Sequence, residues 1–183
     1  MRFESASSAR RPGRQSFRRS ERGYLVSNSL ELLQEVVDSL CKEGFNVLVF
    51  GGWAEELLDL AEPRAHSDID LLVLDADIEM LDKYVSLRGE ILEKHFSHKR
   101  AFEAQHVLVE MFLVDSGRQP TTTTFWDHFR WEWPTDMRPV RVKGLAVASV
   151  DAVRSFRDRY GEIQRARPDP DEPSPELVVD STL

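Results

Sequence analysis

Apolar residues recur with two different periods between residues 23 and 164, which predicts helices and strands in alternation. The first helix is predicted from apolar residues at helical spacing, namely Leu30, Leu33, Val37 and Leu40. Asn28 followed by Glu31 is typical of a capping box at its start, and Gly44 is typical of its end. The apolar run 45–50 follows with glycine on both sides, so it is predicted to be a buried strand.

The same reasoning divides the rest of this region into short elements. Helices are predicted at 53–61, 78–87 and 150–160, and strands at 69–74, 90–95, 106–114 and 139–149. A threonine-rich loop and an aromatic stretch, 125–133, lie between the last two strands. The order of these elements predicts an α/β (α+β) domain with a mixed β-sheet flanked by helices.

Composition is that of a water-soluble globular protein. Of the 183 residues, 41% are hydrophobic and 31% are charged, and no apolar run approaches the roughly 20 residues that span a bilayer. Cys41 is the single cysteine, which excludes an intramolecular disulfide and a cysteine-based zinc site. Cys41 is predicted to be a buried helix residue. We expect a cytoplasmic protein without a membrane partner.

Charge is distributed unevenly around a net value of −8. Residues 1–22 contain seven arginines and two acids, which predicts a basic disordered leader; a nucleic-acid-binding arm and an organelle transit peptide are the alternatives. Residues 165–183 contain four prolines among acids, which predicts a disordered tail. The folded domain is therefore predicted at 23–164.

Two aspartates stand in an apolar strand, where charged groups are rarely left alone. Asp68 and Asp70 are two residues apart, so in a strand both side chains face the same way, about 7 Å from each other. Like charges this close favour a bound cation, and carboxylate oxygens select Mg²⁺. Glu110, in the apolar strand 106–114, is a third candidate if the two strands are neighbours. The alternatives are that the aspartates cap the next loop or pair with Arg64.

A glycine pair separates the first strand from the next helix. Gly51 and Gly52 would let a phosphate approach the backbone and the helix N-terminus, although any tight turn can also use glycine. His66 is a candidate to orient an aspartate or contact a phosphate, or else an ordinary loop histidine. Arg154 and Arg157 either reach a phosphate or form an exposed basic face. The aromatic stretch 125–133 forms either an acceptor wall or a core edge.

Taken together, one set of residues resembles the nucleotidyltransferase superfamily, above all its branch of aminoglycoside 2''-adenylyltransferases and lincosamide nucleotidyltransferases. The matching residues are Gly51, Gly52, Trp53, Arg64, His66, Asp68, Asp70 and the apolar run 71–73. The resemblance covers residues 30–74, and beyond them only Glu110 and the segment 140–157 are similar. The family's third strand acid is usually aspartate, so Glu110 is a departure.

The resemblance implies transfer of a nucleoside monophosphate from a nucleoside triphosphate, expected to be ATP, to a small hydroxylated acceptor such as an aminoglycoside or a lincosamide. Asp68, Asp70 and Glu110 are the implied catalytic and Mg²⁺-binding residues, with Glu110 as metal ligand or general base. The implied nucleotide-binding residues are Gly51, Gly52, Trp53, Arg64 and His66. Two alternatives stay open: a toxin or antitoxin component that modifies RNA or protein, and a non-catalytic nucleotide-binding module.

Overall fold

A computed structural model describes residues 28–168 of the chain. The predicted leader, 1–22, lies outside the described residues, and so does the predicted tail beyond residue 168. Within the described range, no helix is both long and apolar enough to cross a membrane.

Four α-helices, one 3₁₀ turn and eight strands make up this region. The helices are α1 (Leu30–Lys42), α2 (Gly51–Leu57), α3 (Ile78–Ser86) and α4 (Val150–Arg165), and the 3₁₀ turn is Leu92–Lys94. The strands are β1 (Asn46–Phe50), β2 (Asp68–Leu74), β3 (Lys99–Ala104), β4 (Val107–Val114), β5 (Thr122–Phe125), β6 (Phe129–Glu132), β7 (Val140–Val142) and β8 (Leu145–Val147).

Six of the strands form one sheet in the order β3-β4-β2-β1-β8-β7. Strand β2 lies antiparallel to β1 and parallel to β4, so the sheet is mixed. Strands β5 and β6 form a separate antiparallel hairpin. The predicted α/β (α+β) architecture, a mixed sheet flanked by helices, is confirmed.

An aromatic cluster fills the core on the face of the sheet that carries the acids. Phe50 is the cross-strand partner of Asp70, so the two side chains share this face. The Phe50 ring packs edge to face on Phe156 of α4 at 5.0 Å and on Trp133 at 5.6 Å. Phe125, Trp131 and Trp133 are at most 3% exposed. The aromatic stretch therefore closes the core and does not form an acceptor wall.

Three predicted strands differ from the observed ones. Residues 90–95 hold the 3₁₀ turn, and only Glu90 makes an isolated bridge, to Phe102. The strand lies instead at 99–104, where charged residues interrupt the apolar pattern. The threonine-rich loop contains the hairpin β5–β6. The segment 139–149 is not one strand, because Lys143 and Gly144, both at positive φ, turn β7 back into β8.

Two details at α1 also differ. The N-cap is Ser29, whose hydroxyl accepts a hydrogen bond from Leu32 N, so Asn28 lies just outside the helix. Cys41 is exposed and not buried. It lies on the face of the helix opposite the stripe that packs into the core, which ends at Leu40.

Candidate active site

Three carboxylates meet on one face of the sheet, at strands β2 and β4. These strands pair in parallel, and the register sets Asp70 opposite Glu110. Asp68, two residues earlier on β2, shares the face of Asp70. The apolar residues between them, including Ile69 and Val109, point into the core and are fully buried. Burial of the apolar side chains therefore fixes the direction of all three acids.

The glycine pair lies directly against this acidic face. Gly51 has a φ of +59°, which side chains disfavour, and a Cβ atom there would lie 2.1 Å from Asp70 Oδ2. A Cβ atom on Gly52 would lie 2.9 Å from His66 Nδ1 and 3.3 Å from Arg64 Nη2. Glycine is thus needed at both positions because acidic and basic side chains approach the backbone there.

Trp53 and His66 lie behind the glycines and do not line the open cleft. Their rings stack at 4.2 Å, and Trp53 is 6% exposed. His66 Nε2 is 2.9 Å from Glu56 Oε2, while Trp53 Nε1 donates to Asn28 Oδ1 at 3.0 Å. Asn28 Nδ2 in turn donates to the carbonyl of Asp68 at 2.6 Å. These contacts tie α2 and the loop before β2 to the strand that carries the aspartates.

A cleft of about 480 Å³ opens above the acids and the glycines. The three carboxylates, Gly51 and Gly52 form part of its lining. The facing wall is α4, which contributes residues at helical spacing: Val153, Phe156, Arg157 and Tyr160. Sequence analysis left Arg157 open between a phosphate contact and an exposed basic face. The helical spacing of these four residues was the signal that places it at the cleft.

Glu55, which sequence analysis missed, joins arginines on two sides of this cleft. Its Oε2 accepts from Arg64 Nη2 at 2.9 Å, and its Oε1 lies 3.7 Å from Arg157 Nη1. Arg64 therefore pairs with Glu55 and not with the aspartates, the alternative left open by the sequence. Both guanidinium groups are about half exposed, so they present positive charge toward the cleft.

Comparison with known proteins identifies the fold. No family model and no curated protein matches the chain. The lincosamide antibiotic adenylyltransferase LnuA with bound lincomycin matches at a TM-score of 0.61 and 15% identity, covering 73% of this chain and 89% of that one. The antibiotic-resistance factor ANT(2'')-Ia in complex with adenylyl-2''-tobramycin matches at 0.52 and 17%, covering 75% and 80%. The chain has the nucleotidyltransferase fold. The predicted resemblance is thus confirmed at the level of the fold.

Within this nucleotidyltransferase fold, Asp70 is the electrostatically most strained acid. Burial at the floor of the cleft raises its pKa from 3.8 to about 7, and the charges of Asp68 and Glu110 add to the effect. Within residues 28–168, no group donates a hydrogen bond to its carboxylate. Asp68 accepts only from the hydroxyl of Ser67, at 3.0 Å. This pair therefore favours a bound cation.

Glu110 has the opposite environment, because two lysines hold it. Lys94 Nζ forms an ion pair with Oε1 of Glu110, and Lys99 Nζ lies 3.2 Å from the same oxygen. Burial by itself would raise the pKa of Glu110, but the two ammonium groups outweigh it and lower the pKa. Glu110 is thus ionised and paired. Sequence analysis missed both lysines because the 3₁₀ turn and β3, which carry them, were not predicted.

The acids fit Mg²⁺ at the aspartate pair. In the described part of the chain, no group of three or more His, Cys, Asp or Glu side chains is gathered closely enough to form a metal cage. Mg²⁺ needs no such cage, since it usually takes one or two protein carboxylates and completes its shell with water and substrate phosphates. Asp68 and Asp70 meet that requirement, whereas Glu110 is occupied by the lysines.

Proposed function

We propose that this chain is a Mg²⁺-dependent nucleotidyltransferase that transfers a nucleoside monophosphate from a nucleoside triphosphate to a hydroxyl group of a small acceptor. The observation that carries the proposal is the placement of Asp70. It lies unpaired beside Asp68, against a glycine turn, at the floor of an open cleft. A metal ion with triphosphate ligands would satisfy both the aspartates and the bare backbone.

In this proposal Asp68 and Asp70 hold Mg²⁺, which when bound neutralises phosphate charge and orients the triphosphate. Gly51 and Gly52 leave room for phosphate oxygens next to the backbone. Arg64 and Arg157 flank the cleft with exposed guanidinium groups, and an anionic substrate would draw them from Glu55. Trp53 and His66 keep the glycine turn and β2 in register without contacting the nucleotide.

The transfer forms a bond between the acceptor oxygen and the α-phosphorus, and the bond from the α-phosphorus to the bridging oxygen breaks. Pyrophosphate leaves with the electron pair, and the hydroxyl proton must go to a base. Glu110 is the nearest further carboxylate, but the lysines that lower its pKa make it a weak base. Alignment and charge neutralisation therefore supply most of the catalysis.

The apolar side of the cleft suits flat or ring-shaped groups. Phe112 and Phe156 line it next to Tyr160, which is 47% exposed. Such surfaces pack well against a nucleobase or a sugar-like ring. We propose ATP as the donor, and an aminoglycoside- or lincosamide-like acceptor, since the similar structures hold lincomycin or an adenylylated tobramycin.

The test is transfer of an α-labelled nucleotide. The protein is incubated with each labelled nucleoside triphosphate, Mg²⁺, and a panel of aminoglycosides, lincosamides, tRNA and the protein itself. Label on a small acceptor, lost in Asp70→Asn and kept in Asp38→Asn on the exposed side of α1, supports the proposal. Label on RNA or protein would favour a toxin-like activity instead, and nucleotide binding without any transfer would favour a non-catalytic module.

A further inference from the structure

Two lysines stand where the third carboxylate of the site would otherwise meet a metal ion. Lys94 comes from the 3₁₀ turn and Lys99 from the first position of β3, and both contact the same oxygen of Glu110. The aliphatic stem and ammonium of Lys99 lie against the rings of Phe96 and Phe112, with Nζ 5.7 and 5.5 Å from their centroids. Lys99 is thus held in place from three sides.

These lysines are not ordinary surface residues. The side chain of Lys99 is 12% exposed and that of Glu110 is 11% exposed, whereas Lys94 is 37% exposed. A charge this deeply placed is strongly unfavourable without its partner. For Glu110 to ligate a metal ion, its carboxylate would have to leave the Lys99 ammonium without a counter-charge. The packing around Lys99 therefore opposes a three-carboxylate metal site.

We propose that the site binds a single divalent cation, at Asp68 and Asp70, and that the ammonium groups of Lys94 and Lys99 provide the positive charge that a second metal ion would place at Glu110. Two metal ions clamp the attacking and leaving oxygens in many phosphoryl-transfer sites. Here Glu110 serves as an anchor that positions the lysines, which is a different role from metal ligand or base. The chemistry rests on the proposed function, but the number of bound ions does not.

The lysines have hydrogen-bonding capacity left for a substrate. An ammonium group has three N–H donors, and Glu110 accepts one from each lysine. Lys94, which is partly exposed, can therefore donate to an anionic oxygen in the cleft while it stays paired with Glu110. This gives the site an affinity for a triphosphate that does not depend on metal.

The first experiment counts metal ions. The full chain is titrated with Mn²⁺, followed by electron paramagnetic resonance, with and without a triphosphate whose α,β-bridging oxygen is replaced by methylene. We expect one Mn²⁺ per chain, also when the analogue is present. Two ions per chain would overturn the inference and leave the proposed function standing, whereas no bound ion would overturn both.

The second experiment tests the lysines directly. Lys94→Met and Lys99→Met keep the stems and remove the charges; we expect each to weaken metal-free binding of the analogue about tenfold and the pair to let Glu110 take up a second Mn²⁺. Lys99→Arg should keep a stoichiometry of one, and Lys83→Met on exposed α3 is the matched control. Unchanged analogue affinity in Lys94→Met, the more exposed position, would overturn the inference even if Lys99→Met does not fold.

Discussion

Replacing Asp70 by asparagine should stabilise the metal-free protein, and more so at high pH. The substitution keeps the shape of the side chain but removes the charge that lies beside Asp68 and Glu110 without a hydrogen-bond donor. Burial, reinforced by these two carboxylates, raises the pKa of Asp70 from 3.8 to about 7. Ionised Asp70 therefore opposes folding, and asparagine cannot ionise.

The sign and the size follow from this pKa. Because the folded chain binds the Asp70 proton more tightly than the unfolded chain, this group makes stability fall as pH rises from about 4 to about 7. At about 1.4 kcal/mol per pH unit the full cost above pH 7 is up to about 4 kcal/mol, and roughly 2–4 kcal/mol after screening by water in the open cleft. For a domain of this size that corresponds to roughly 5–15 °C in Tm.

The assay is thermal unfolding of wild type and Asp70→Asn at pH 5 and pH 8 in the presence of a chelator. We expect the Tm advantage of the variant to be large at pH 8 and small at pH 5, whereas Asp38→Asn on α1 shows no such change. Mg²⁺ added at pH 8 should raise the Tm of wild type but not of Asp70→Asn. A Tm advantage that is equal at both pH values, or absent at pH 8, would refute the reasoning.

Three further predictions concern the glycine turn, Glu110 and the chain ends. Gly51→Ala should abolish Mn²⁺ binding because its Cβ atom would displace the Asp70 carboxylate, whereas Gly44→Ala, also at positive φ but with nothing within 4 Å, should lower only the Tm. Glu110→Gln should lower turnover about 10²-fold or more and destabilise the fold by about 3 kcal/mol, since Lys99 loses its counter-charge, while Glu110→Asp retains more of both in parallel rate and unfolding measurements. A chain cut to residues 23–164 should melt within about 5 °C of the full chain by calorimetry, and a larger drop would mean that an end packs on the domain.

Sequence analysis was successful where one local pattern had one physical solution. A strand of apolar residues with charges at Asp68 and Asp70 can bury only one face, so the direction of both acids follows from the hydrophobic pattern. The glycine pair before α2 was equally specific, because the positive φ of Gly51 and the approach of Asp70 both exclude a side chain. The central strands and the helices came from the same patterns.

The remainder depended on pairings between distant segments. Strand β3 reads as charged in sequence, and it is a strand because Lys99 and Arg100 each find an acid, Glu110 and Asp82, across the fold. The hairpin β5–β6 has a polar first strand whose burial depends on the ring of Trp133, which donates to Thr123 at 2.9 Å. No local period records such partners, so the lysine pair at Glu110 was beyond reach of the sequence alone.

The charge balance of the cleft explains why one position in it is set apart for a cation. Four basic side chains approach the cleft, and each is paired: two with Glu110 and two with Glu55. In the part of the chain that the structure describes, Asp68 and Asp70 are the acids of the cleft without such an ion pair, although they lie deepest. A protein that needed only a stable fold would gain by replacing one of them, as the expected behaviour of Asp70→Asn illustrates. The unpaired aspartates are therefore best understood as a site whose missing charge arrives with the substrate.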